Sequence, residues 1–247
     1  MRYVALFTYV LIQYPDIILS GANLNHDYFT NRQDRYVIIK DSQDVSDFFS
    51  DLISHISDFS HSLEIPESPT GSSASLYLLS PNCKSNNPMA MGSSFMANQY
   101  QDWVARTRSA LNSDGTYIIP AIQMGLSNTR QEEAVFEDLF KVIGKDAPNY
   151  RIDMSSAYLN FPRSFQDMII DSSCQMRILT SSPKANGFYG AKNMSGHLPD
   201  SYTYLESKLM KRLVKAGRQT DVQLLEYHRP GWTFHAKGRS SLCSYNA

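Results

Sequence analysis

Between Tyr117 and Lys237, short runs of β-branched and aromatic residues alternate with segments whose apolar residues recur at threes and fours. A strand buries every second residue and a helix buries a stripe, so the two periods mark different elements. Strands are predicted over Tyr117–Gln123, Arg151–Ser156, Gln175–Ser181, Asp221–Tyr227 and Trp232–Lys237. Helices are predicted over Thr129–Ile143, where Thr129 and Glu132 suit a capping box, near 163–171, and over about 201–216 with Leu205, Leu209, Leu213 and Val214 inward. Strands separated by helices of about ten to sixteen residues imply an α/β fold, a mixed sheet with helices on its faces.

The first sixty residues have the same character. Ile17–Ser20 and Tyr36–Lys40 read as strands, and Val45, Phe48, Phe49, Leu52, Ile53 and Ile56 form the stripe of a helix that Asp41 or Ser42 can cap. The apolar run from Tyr3 to Ile12 is too short to cross a bilayer and lacks a cleavage site, so it reads as a buried strand. Pro, Ser, Gly and Asn dominate much of the stretch from 61 to 98, which reads as a loop-rich joint. The chain therefore divides into residues 1–60, the tail of one α/β unit, the joint at 61–98, and a second unit over 99–238.

With 23 basic and 24 acidic residues there is no global field to recruit nucleic acid or an anionic surface, though local patches are compatible with this balance. Cys83, Cys174 and Cys243 are odd in number and widely spaced, which matches no zinc or disulfide framework and suits a reducing interior. No metal-ligand cluster stands out, and no cofactor is expected.

Chemistry concentrates near the C-terminus, in Gly231-Trp232-Thr233-Phe234-His235-Ala236-Lys237-Gly238. On an extended segment the spacing of two puts His235 and Lys237 on one face. An imidazole can attack phosphorus while an ammonium holds phosphate oxygens. A lone strand histidine is more often structural, so the pair gains its weight from its flanks. Gly21-Ala22-Asn23 reads equally as a turn that needs glycine and an Asx side chain. Arg32, Asp34 and Arg35 read as a solvated charge cluster or as part of a site. Lys184 and Lys192 flank a turn at Asn186-Gly187 and are possible phosphate contacts, and Phe188 and Tyr189 on that loop could meet lipid.

Three stretches carry a resemblance. They are Ile18–Leu24 continuing through Tyr28–Tyr36, then Ser182–Lys192, then Arg229–Gly238; Ile122–Met124 and Tyr158–Asn160 are also similar. Together they resemble the eukaryotic phosphatidylglycerophosphate synthases, the CDP-diacylglycerol–glycerol-3-phosphate 3-phosphatidyltransferases of the phospholipase D superfamily. The resemblance implies a phospholipase D-like repeat with a second, partial one. It also implies a site built from two H-x-K…D…G-S-x-N motifs facing each other. His235 and Lys237 match the start of the second copy and are the expected catalytic residues. Gly21, Asn23 and Asp34 match the later part of the first copy and are expected to bind substrate.

The implied reaction moves the phosphatidyl group from CDP-diacylglycerol to glycerol 3-phosphate, releasing CMP through a phosphohistidine, in mitochondrial phosphatidylglycerol and cardiolipin synthesis. The implied partners are those two substrates and a membrane surface, without nucleic acid. By register the first H-x-K falls at Phe7 and Tyr9 and the second aspartate at Leu242, so residues 1–16 and 239–247 depart from the family pattern. With one imidazole where two are needed, this chain is expected to be a fragment, truncated at both ends and inactive alone. The rival expectations are a non-catalytic remnant and another phospholipase D-type phosphodiesterase. Whether His235 is nucleophile or acid stays open at this point.

Overall fold

The computed structural model describes residues 2–4, 9–58, 63–64, 77–78, 118, 120–125, 128–144 and 150–243. In chain order the strands are β1 (Arg2–Val4), β2 (Tyr9–Gln13), β3 (Asp16–Ser20), β4 (Arg32–Gln33), β5 (Tyr36–Ile39), β6 (Leu63–Glu64), β7 (Tyr77–Leu78), β8 (Gln123–Met124), β9 (Thr129–Arg130), β10 (Tyr150–Ser156), β11 (Gln175–Ser181), β12 (Val222–Tyr227), β13 (Thr233–Phe234) and β14 (Lys237–Cys243). The α-helices are α1 (Gln43–Asp58), α2 (Gln131–Gly144), α3 (Arg163–Asp171) and α4 (Leu198–Lys215). Two compact units divide the chain, one of Met1–Leu11, Ile17–Ile39 and Phe136–Ala247, the other of Ile12–Asp16 and Lys40–Val135.

A five-stranded sheet in the order β1-β14-β10-β11-β12 forms the centre of the larger unit. The neighbours β10, β11 and β12 run parallel, while β14 is antiparallel to both β10 and β1. Parallel neighbours cannot be joined by a tight turn. Here α3 lies on the connection from β10 to β11, and α4 on that from β11 to β12. Alternate residues face inward as the spacing requires: Ile152 and Met154 on β10, Met176 and Ile178 on β11, and Val222 on β12. They form one core with Ile169 of α3, Leu209 and Leu213 of α4, and Phe136 and Phe140 of α2. Phe136 stacks on Phe165 with ring centroids 4.5 Å apart. A smaller antiparallel pairing, β3 with β5, sets Ile17 opposite Ile39 and Ser20 opposite Tyr36.

One inward position of α4 is charged. Glu206 is buried, and its Oε1 accepts a hydrogen bond from Thr180 Oγ1 at 3.3 Å. Burial above all, then the Glu226 carboxylate, pushes its carboxyl up to about 7, against the smaller opposing effect of Thr180. A carboxyl raised in the folded state binds a proton that the unfolded chain has already lost. Its contribution is therefore complete below the unfolded value near 4.5 and disappears as pH rises through about 7. Glu206→Gln keeps an acceptor for Thr180 and removes the titration. We expect it to raise stability at pH 8 by on the order of 1–3 kcal/mol and to flatten the profile between pH 4.5 and 7. Urea midpoints across that range measure the effect; parallel profiles for the two proteins would assign the pH dependence elsewhere.

In the smaller unit Val45 and Phe48 of α1 are buried, and the Ser46 hydroxyl donates to the Pro15 carbonyl at 2.7 Å. The Asp41 amide donates to Asp16 Oδ1 at 2.9 Å. β6 pairs with β7, and β8 with β9, each antiparallel.

The strand expected at Tyr117–Gln123 is displaced. Its described part is irregular until Gln123, where β8 begins, and Pro120 in its middle has no amide to give a ladder. The second helix starts at Gln131 instead of Thr129, because Thr129 and Arg130 pair with β8. The expected strand Trp232–Lys237 is two strands, β13 and β14, which pair with different neighbours; His235 and Ala236 lie between them. The N-terminal apolar run likewise contributes to two sheets through β1 and β2. Residues 239–243, expected to form a tail, continue β14 along β10. Most of the 61–98 joint lies outside the described residues.

Candidate active site

Two segments far apart in sequence run side by side at the site. β4 and β13 pair in parallel, with Thr233 opposite Arg32 and Phe234 opposite Gln33. The Thr233 amide donates to the Asn31 carbonyl at 3.0 Å, and the His235 amide to the Gln33 carbonyl at 2.8 Å. Asn31 Nδ2 donates to the Gly231 carbonyl at 2.9 Å, and Arg32 Nε to Thr233 Oγ1 at 3.0 Å. These bonds fix the backbone of His235 relative to Asp34, one residue beyond Gln33.

The side chains then converge. His235 Nδ1 lies 2.8 Å from Asp34 Oδ2, and the Asp34 side chain is only 1% exposed. A carboxylate can only accept, so this pairing favours the tautomer that carries its proton on Nδ1 and its lone pair on Nε2. The other Asp34 oxygen, Oδ1, accepts from the Arg35 amide at 2.8 Å, which holds the carboxylate from behind. Lys237 Nζ lies against the imidazole, 2.6 Å from Nδ1 and 2.6 Å from Nε2. Tyr28 and Tyr158 meet the ring edge-on, with centroids 5.3 and 5.8 Å away. The Arg32 guanidinium lies over the Tyr28 ring at 4.9 Å and reaches Asp27 Oδ2 at 3.3 Å.

Burial sets the electrostatics. Loss of solvent pulls the Lys237 amine down to about 8; Asp34 opposes this and Arg32 adds to it. Burial also raises the Tyr158 phenol above its ordinary value, so it keeps its proton and can act as a donor. The site thus presents an oriented imidazole, two cationic groups and a phenol O–H, an arrangement fitted to an anionic, tetrahedral centre. Among the described residues no group of three His, Cys, Asp or Glu side chains is placed to hold a metal ion.

Gly21 makes the approach possible. A Cβ there would lie 3.2 Å from Asp34 Oδ1 and 3.5 Å from Lys237 Cδ. At Gly187 a Cβ would come within 3.1 Å of the Tyr158 hydroxyl. The structure therefore brings together His235, Lys237, Asp34 and Gly21. Asn23 is exposed and reaches the cluster through a 3.4 Å contact from Nδ2 to the Tyr28 hydroxyl. Asp34 faces the histidine instead of opening to solvent. The sequence did not single out Tyr28 or Tyr158, although each lies in a stretch that carried the family resemblance. Arg32 read equally well as a solvated charge.

A chain of known structure has the same architecture. The phosphatidylserine synthase of Haemophilus influenzae Rd KW20 aligns over 95% of this chain and 51% of its own, with a TM-score of 0.56 at 20% identity. The likeness gives the chain a phospholipase D-like fold. No family model matches the chain. Its sequence relatives are the CDP-diacylglycerol–glycerol-3-phosphate 3-phosphatidyltransferases, to which it is homologous over 90% of its length. Identity is 33% to the mitochondrial protein of Gallus gallus, 32% to that of Homo sapiens and 28% to the Saccharomyces cerevisiae protein. The chain spans less than half the length of each, at 44%, 43% and 46%.

Proposed function

We propose that this protein transfers the phosphatidyl group of CDP-diacylglycerol to glycerol 3-phosphate, giving phosphatidylglycerophosphate and CMP. The observation that carries this reading is the Asp34–His235–Lys237 cluster, set in a chain homologous to enzymes of that name. His235 Nε2 attacks the phosphorus that bears the diacylglycerol, and the bond from that phosphorus to the CMP oxygen breaks. A phosphatidyl-histidine remains while Asp34 holds the Nδ1 proton. Lys237 and Arg32 face the non-bridging oxygens as negative charge grows there. A hydroxyl of glycerol 3-phosphate then attacks the same phosphorus, loses its proton to a base, and returns His235 to its starting state.

The mitochondrial names of several relatives support a mitochondrial location, and a lipid substrate supports peripheral contact with a membrane. Among the described residues no helix is long and apolar enough to cross one. The balanced charge of the chain favours a substrate gripped by local cations over a nucleic acid. The family resemblance calls for a second imidazole to handle the acid and base steps. The 247-residue chain assayed alone is therefore expected to show no measurable turnover.

The test is CMP release from CDP-diacylglycerol by the full-length protein, with and without glycerol 3-phosphate. Release that requires the acceptor, with an alkali-stable and acid-labile lipid–enzyme adduct in its absence, is the expected result. Hydrolysis of unrelated phosphodiesters with no CMP release would instead favour the phosphodiesterase reading.

A further inference from the structure

Two loops that touch the site carry large apolar side chains on their outer sides. In the first, Tyr28 packs on His235 while its neighbours Leu24 and Phe29 are 75% and 70% exposed. In the second, Phe188 rests against Tyr158 with centroids 5.9 Å apart, and beyond it Tyr189 and Met194 are 59% and 87% exposed. Soluble surfaces rarely group such residues unless something apolar meets them. The second loop carries charge of one sign. From Ser182 to His197 there is no Asp or Glu, while Lys184 and Lys192 are exposed. In the first loop the carboxylate of Asp27 is engaged by Arg32. The second loop is also shaped locally: Asn186 is buried, and its Oδ1 accepts from the Phe188 amide at 3.0 Å, which sets Phe188 against Tyr158 and leaves Tyr189 more exposed.

We infer that these two loops form a lipid-docking rim. Leu24, Phe29, Tyr189 and Met194 enter the interfacial layer of an anionic membrane, and Lys184 and Lys192 meet its headgroups. The inference rests on the proposed lipid substrate for its purpose. A rim beside His235 would keep the acyl chains in the bilayer while the headgroup phosphorus reaches Nε2. Its physical basis, exposed apolar groups and exposed lysines in a stretch without Asp or Glu, stands apart from that chemistry.

The experiment is vesicle co-sedimentation of the full-length protein, using phosphatidylglycerol–phosphatidylcholine and pure phosphatidylcholine vesicles. The quadruple variant L24S/F29S/Y189S/M194S changes only exposed side chains, and circular dichroism and thermal melting check its fold. It is expected to lose at least about tenfold in partitioning, because each inserted side chain contributes a substantial transfer free energy. Lys184→Gln with Lys192→Gln should weaken binding to the anionic vesicles several-fold, make it less sensitive to salt, and leave binding to neutral vesicles unchanged.

If another part of the protein dominates partitioning, local insertion still decides the matter. The Tyr189→Trp variant should show emission, in excess of the wild type, that brominated phospholipid quenches. A folded quadruple variant that partitions like wild type, together with an excess emission of the Tyr189→Trp variant that stays unquenched in the bound protein, would overturn the rim. So would a quadruple variant whose only change is a smaller oligomer by size exclusion, since the apolar residues would then cover a second copy. Neither readout needs turnover. Lost partitioning without CMP release in the wild type would support the rim while the proposed chemistry fails. Unchanged partitioning with full CMP release would do the reverse.

Discussion

Replacing His235 with alanine is expected to lower CMP release by on the order of 10⁴-fold, with little loss of folding stability. In the proposed mechanism no other group of the cluster can supply the nucleophile: Asp34 is buried with its oxygens turned to His235 and Arg35, and Lys237 is largely protonated below its value of about 8. The ring is only partly buried, so truncation leaves a small space beside Tyr28 and Tyr158 without opening the core. Single-turnover CMP release and the lipid–enzyme adduct should vanish together. An alanine variant that still forms the adduct would show that a different side chain attacks phosphorus.

The second large effect belongs to Asp34, which in the proposed mechanism acts through His235. Asp34→Asn preserves size but presents an amide whose NH₂ can point at Nδ1, favouring the tautomer that places the proton on Nε2, where the attacking lone pair should be. It also removes the charge that stabilises an imidazolium. A fall of roughly 10²–10⁴-fold in turnover is expected, with substrate binding nearly unchanged. A positioning role predicts a specific signature, a shift of the pH–rate profile on the histidine limb, which loss of packing alone would not produce. Asp34→Glu should recover part of the rate if its longer stem can still reach Nδ1. Equal losses in Asn and Glu variants, with no change in the profile, would reduce Asp34 to a structural role.

Much of this architecture could be read from spacing. The alternate burial of Ile152, Met154, Met176 and Ile178, and the inward stripe of Leu209 and Leu213, follow directly from periods of two and of three to four. His235, Lys237, Gly21 and Asp34 came from motif and register. Local pattern could not show where a strand changes partners. Trp232–Lys237 is continuous in its residue preferences, yet β13 pairs with β4 while β14 inserts between β1 and β10. It could not show that Asp34 turns inward either, since a carboxylate between two arginines in sequence looks equally like a solvated charge. Its partner lies 201 residues away, and only the parallel pairing of β4 with β13 reveals it. The displaced start of α2 has the same origin: Thr129 has a cap's chemistry, but a cross-strand neighbour claimed it first.

That distance of 201 residues between Asp34 and His235 also sets the order in which the site comes into being. Closing a loop of this length costs roughly 5 kcal/mol of chain entropy, which no single imidazole–carboxylate contact repays. Two sheets have to recover it, the larger one through the insertion of β14 along β10, and the separate parallel strip of β4 and β13. Arg32 and Asp34 therefore leave the ribosome 201 residues ahead of Thr233 and His235, with only their near neighbours in sequence to hold them. The two side chains that meet at 2.8 Å are strangers until the stretch between them has been made, so their contact is a product of folding at long range.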